Sequence, residues 1–118
     1  MFLKLSHTRL DIFSASRELV LHLYKITRTF PPEEKYALTQ QIRRAAVSVH
    51  LNIAEGFSRK SAAERKRFFE ISRGSLIEID TALDIAIELD YTKEETLAPE
   101  AEKMTRCFQM LSKMITSQ

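Results

Sequence analysis

The sequence predicts an all-α fold, an antiparallel up-down-up-down bundle of four helices in one domain spanning residues 1–118. Three observations lead to it. Four segments carry apolar residues at helical spacing. Capping and breaker residues fall between those segments, leaving connections too short for anything but neighbouring helices. Two glycines and three prolines in 118 residues are too few for the turns of an all-β protein. A chain of this length buries roughly two-thirds of its unfolded surface, enough for its own core.

Helix one is expected over about 9–30. Thr8 and Asp11 are spaced as a capping box, and Ile12, Leu19, Leu23, Ile26 and Phe30 lie on one stripe. Pro31 and Pro32 stop it, because the residue before a proline avoids helical geometry.

Helix two is expected over about 33–57. Pro32 opens it, Glu33 and Glu34 favour its dipole, and Leu38, Ile42, Ala45, Val49, Ile53 and Phe57 form its stripe. Gly56 is placed to help end it.

Helix three is expected over about 62–90, opened by a Ser61–Glu64 capping box. Its inner stripe reads Phe68, Ser72, Ser75, Ile79, Ala82, Ala86 and Leu89, widened by Leu76 and Leu83.

Helix four is expected over about 93–116, from a Thr92–Glu95 box, with Leu97, Met104, Phe108, Leu111 and Ile115 inward. Pro99 conflicts with this, since a proline inside a helix costs ~3 kcal/mol or more. Either the helix kinks near 97–99 or a turn precedes a helix that begins there. A kinked, nearly continuous helix is the expectation.

Composition excludes several classes of protein. Hydrophobic residues make up 44% and charged residues 29%, as in ordinary globular chains. Cys107 is alone, so no internal disulfide exists. The apolar N-terminal residues are interrupted too early for a signal peptide, and no run reaches the ~18 apolar residues of a membrane span. A cytoplasmic location without membrane association is the default. The net charge of +2 conceals a basic middle, +5 over residues 41–73, and an acidic end, −5 over residues 74–118.

No catalytic or metal constellation emerges, and no cofactor is implied. His7, His22 and His50 have no partner at ligand spacing. Cys107 has no base beside it and reads as a core residue. Glu78, Asp80, Asp84 and Glu88 lack the Glu-x-x-His pairs of a di-iron bundle. Gly56 and Gly74 are isolated, so no phosphate-binding loop is present.

Helix two carries a second, polar line of Gln41, Arg44, Ser48, Asn52 and Glu55, flanked by apolar Val47 and Leu51. A helix apolar on several sides is usually covered on several sides. The polar line is therefore assigned to a subunit interface or interhelical network, with Glu78 of helix three as a member and Arg44 as its expected partner. The basic residues Arg43, Arg59, Lys60, Arg65, Lys66, Arg67 and Arg73 run from helix two through the loop into helix three. They are the candidate nucleic-acid contacts, acting on phosphates through counterion release. The competing assignment is a surface that docks an acidic protein. No RNA-binding motif supports base-specific readout.

The segment EKYALTQQIRRAAVSVHLNIAEGFSRKS at 34–61 closely resembles the signature of a small four-helix-bundle family encoded in intervening sequences of bacterial 23S ribosomal RNA genes. FFEISRGSLIEIDTALDIAIELDY at 68–91 and Asp11-Ile12-Phe13 extend the resemblance to nearly the whole chain. The resemblance implies a ring-like homo-oligomer, commonly a pentamer. More distantly it is similar to the accessory variability proteins of diversity-generating retroelements, basic pentamers that bind nucleic acid and a reverse transcriptase. The chain departs from the family pattern at His50, where proline is usual, at Ala37, usually glycine, and at Phe13, usually tryptophan. His50 in place of proline predicts a straighter helix two.

Overall fold

A computed structural model describes residues 2–118. It contains four α-helices: α1 Asp11–Thr27, α2 Leu38–Ser58, α3 Ala62–Glu88 and α4 Ala98–Thr116. No strand occurs among the described residues. The packed pairs are α1 with α2, α2 with α3, α3 with α4 and α4 with α1, so the helices surround the core in cyclic order. Leu19, Leu23, Ile42, Ile53, Ile79 and Leu111 are fully buried at its centre. No helix among the described residues is long and apolar enough to cross a membrane.

The α2–α3 seam is the most extensive, and small or hydroxyl residues explain why. Ser72 Oγ donates to the Val49 carbonyl at 2.8 Å, and Ser75 and Ser48 hydroxyls bond at 2.9 Å. Gly56 packs directly against the ring of Phe69. Each lets the helix axes approach while leaving buried hydroxyls satisfied.

The start of α3 is as expected, with Ser61 Oγ accepting from the Glu64 N–H at 3.1 Å. Its end is a Schellman turn: Asp90 adopts φ 61° and the Tyr91 N–H reaches the Ala86 carbonyl at 2.9 Å. Aspartate tolerates that left-handed conformation better than most residues. Tyr91 then packs on Phe30 at 5.6 Å between ring centroids, and its hydroxyl donates to Glu34 Oε2 at 2.8 Å. The α1–α2 and α3–α4 connections are thereby stitched together.

The other three helices start later than expected. Thr8 does not cap α1. Its hydroxyl turns back to the Leu5 carbonyl at 2.6 Å, inside a 3₁₀ turn at Ser6–Arg9. At the other end α1 stops at Thr27, three residues short of Phe30.

Pro32 opens only a 3₁₀ turn, Pro32–Glu34, and Ala37 at φ −125°, ψ −105° breaks the path. The Glu34 carboxylate, held by Tyr91, caps α2 from outside by accepting the Leu38 N–H at 3.3 Å.

Pro99 resolves as the first turn of a fresh α4, where its missing N–H has no consequence. Residues 93–97 form the preceding turn, with Leu97 N–H on the Lys93 carbonyl at 3.2 Å. The kinked continuous helix is therefore corrected.

Inside the helices, Phe69 rather than Phe68 enters the core, Leu89 stays exposed, and Cys107 takes the place expected of Phe108. Gly56 sits within α2, two residues before its end, so its role is close approach and not termination. α2 runs unbroken through His50. His50 stacks on Phe13 at 4.3 Å between centroids and shares a 2.7 Å hydrogen bond with the buried Ser16 hydroxyl.

Candidate nucleic-acid interface

The three-residue connection from α2 to α3, Arg59-Lys60-Ser61, makes a sharp corner at one end of the bundle. Residues 55–67 hold five basic and two acidic side chains. Their arrangement divides them by role.

Arg65 braces the corner. Its Nη1 donates to the Arg59 and Lys60 carbonyls at 3.2 and 2.6 Å, and its Nε donates to Gln118 Oε1 at 2.7 Å. One guanidinium thus satisfies two loop carbonyls, and it ties the loop to Gln118, which follows α4. Arg59 lies over the Phe68 ring at 4.8 Å and pairs with Glu55 at 2.9 Å. Arg67 approaches the same ring at 5.9 Å. Such exposed cation–π contacts are worth ~0.5–1 kcal/mol and fix where the guanidinium groups stand. Lys60 and Lys66 are exposed and have no ion-pair partner among the described residues. The first turn of α3, capped by Ser61, adds the positive end of a helix dipole.

Two of the expected seven do not join the corner. Arg43 is 16 residues before Arg59 on α2, about 24 Å away along the axis. Its Nε donates to Thr27 Oγ1 at 2.8 Å and its plane lies over Tyr24 at 4.7 Å, so it locks α2 to α1. Arg73 reaches across to α4, donating to Ser112 Oγ at 3.1 Å with Phe108 at 5.8 Å. Sequence proximity grouped these two with the corner, whereas helix rotation sends them to other seams.

The polar line of helix two borders the α2–α3 seam. Gln41 donates to Glu78, Ser48 bonds Ser75, and Asn52 Nδ2 donates to the Ser48 carbonyl and hydroxyl at 2.8 and 3.0 Å. Gln41 is therefore the partner of Glu78, in place of Arg44. Arg44 points outward and is exposed, and Glu55 belongs to the corner through Arg59.

Sequence reading missed one polar feature. Glu100 is only 3% exposed. Its Oε1 lies 3.3 Å from His22 Nδ1, and its Oε2 has no hydrogen-bond partner among the described residues. A buried glutamate on a helix reads as surface in any periodicity scan, and nothing in the pattern marks it. Among the described residues no group of three or more His, Cys, Asp or Glu side chains is placed to hold a metal ion.

The model of the family described as 23S rRNA-intervening sequence protein matches residues 8–115. A crystal structure at 1.70 Å of a protein of unknown function from the S23 ribosomal protein family of Bacteroides thetaiotaomicron VPI-5482 is similar in fold. Its TM-score is 0.78 at 20% sequence identity, covering 88% of this chain and 97% of that one. No curated protein matches.

Proposed function

The chain belongs to the 23S rRNA-intervening sequence protein family, and from that premise we propose that it is a non-enzymatic, cytoplasmic homo-oligomer that binds structured RNA through the corner between α2 and α3. The bundle is read as up-and-down, in keeping with four helices packed in cyclic order through connections of 10, 3 and 9 residues, and the oligomer is read as a ring, as the family resemblance implies. A pentamer is the expected size.

One observation carries the reading. Lys60 and Lys66 extend from a corner whose loop carbonyls are already covered by Arg65, with Arg59 and Arg67 held beside them on Phe68. Phosphate contacts of this kind position a polyanion without reading its sequence. Repeated around a ring, weak corners add by avidity.

The test is binding of a structured RNA over a salt series, with the mass fixed by light scattering. The comparison is the Arg59→Glu/Lys60→Glu/Lys66→Glu variant, checked for an unchanged helical spectrum and mass. Three engaged charges give a slope near −2.7 in log K against log salt, so about a 40-fold loss from 50 to 200 mM. The variant is expected to lose both the affinity and the slope. Absence of wild-type binding at low salt with the oligomer intact refutes RNA binding and directs attention to an acidic protein partner.

A further inference from the structure

Two grooves lie on different sides of the bundle. The first, ≈ 520 Å³, runs between α3 and α4. Its floor is apolar, with Leu83, Ile87, Leu97 and Met104, and its charged lining residues are all acidic: Asp80, Asp84, Glu94 and Glu100. Glu100 brings to it the buried carboxylate whose Oε2 has no partner among the described residues. Orphaned buried carboxylate oxygens are costly, and a cation on an apolar stem is the group that relieves them. The second groove runs along the outer stripe of α2 beside α1. Its charged lining residues are all basic: Lys35, Arg43 and Arg44. The same groove is lined by Tyr36, 79% exposed, and Leu51, 57% exposed. Because the helices pack in cyclic order, the α1–α2 and α3–α4 sides face away from each other across the core.

We infer that these grooves are the two halves of a head-to-tail contact between copies of this chain, the acidic α3–α4 groove of one copy receiving the basic outer stripe of α2 of the next. Charge complementarity identifies the occupant. A same-with-same contact at either groove would press like charges together, whereas the two different grooves are opposite in sign and both carry apolar residues. A contact between different surfaces repeats from copy to copy, closing into a ring when the rotation allows. A bundle side up to 43 Å long and 24–29 Å wide accommodates the ~800 Å² per partner of a stable interface. Lys35 and Arg44, exposed on the stripe, supply the cations, and Arg43 stays committed to α1. The inference rests on the homo-oligomeric part of the reading above and is independent of RNA binding.

The test is light scattering of the full chain and three variants, each checked for helical content. Asp80→Lys/Asp84→Lys and Lys35→Glu/Arg44→Glu are each expected to reduce the wild-type oligomer to the 13.7 kDa single chain. All four substitutions in one chain restore complementarity, and assembly is expected to return, which excludes misfolding as the cause of either loss. An oligomeric wild type whose two-site variants keep its mass, or whose four-site variant stays monomeric, overturns this contact while leaving the oligomer itself standing. In the former case the groove is open to a cationic partner other than this chain. A wild type that is monomeric at tens of micromolar overturns the contact and the oligomer together.

Discussion

Replacing Gly56 by alanine tests the close approach that organises the α2–α3 seam. On helix propensity alone the change stabilises by up to ~1 kcal/mol, because glycine loses more backbone freedom on folding. The structure opposes this. A methyl group built at Gly56 stands 2.7 Å from Phe69 Cδ1 and 3.0 Å from Cζ, and closer still to Cε1. Phe69 is only 1% exposed and wedged against Phe57 at 5.2 Å between centroids, so its ring has little room to withdraw.

Overpacking of this kind costs ~1–3 kcal/mol. The net expectation for Gly56→Ala is destabilisation by up to about 2 kcal/mol. An unfolding entropy of ~2.1 cal/mol/K per residue over this chain length makes 1 kcal/mol about 4 °C, so Tm should fall by up to about 8 °C. Gly74→Ala is the internal control. Nothing lies within 4 Å of its added methyl, and Tm should rise by about 3–4 °C. The assay is thermal unfolding followed by circular dichroism at fixed protein concentration. In a Phe69→Leu background the penalty of Gly56→Ala should vanish, since coupling between touching residues is what the double mutant measures. A Gly56→Ala protein that gains as much stability as Gly74→Ala refutes the argument.

Stability should also decline in mild acid. Burial first, then the charges of Arg17 and His7, hold the His50 pKa below its ordinary 6.5. The unfolded chain therefore binds the proton more readily than the folded one. The stability contributed by neutral His50 is complete above pH 6.5 and is lost as pH falls through the lowered folded value. Thermal unfolding across pH 5–8 should show this slope, and His50→Gln should flatten it; an equal slope in the variant assigns it elsewhere. Burial pushes the Cys107 thiol up to about 11, with Arg106 pulling weakly the other way. A thiol reagent at pH 8 should label the native protein only as fast as it opens, and label it fully in denaturant. Rapid labelling of folded protein contradicts the burial.

Much of the fold was legible because it depends on near neighbours in sequence. The period of Ile42, Ala45, Val49 and Ile53 and the Ser61–Glu64 cap are local features, and both stand as read. The candidate site was legible in composition but not in membership. Arg43 and Arg73 are close to the corner in sequence, yet Thr27, Tyr24 and Ser112 claim them. Arg65 reads as one more cation, and only the loop's geometry makes it a brace.

The sequence by itself determined the all-α class, the four helical segments and their apolar stripes, because periodicity and capping act within a few residues. Tertiary structure alone decided where three helices begin. Glu34 caps α2 only because Tyr91, 57 residues away, holds its carboxylate. It also decided that Gly56 is a contact and not a terminus, because the facing surface is the ring of Phe69. Finally it gathered Asp80, Asp84, Glu94 and Glu100 around one groove and set Lys35 and Arg44 along another. No local rule carries such information: it depends on how each helix is rotated about its axis when the core closes, and long-range packing sets that rotation.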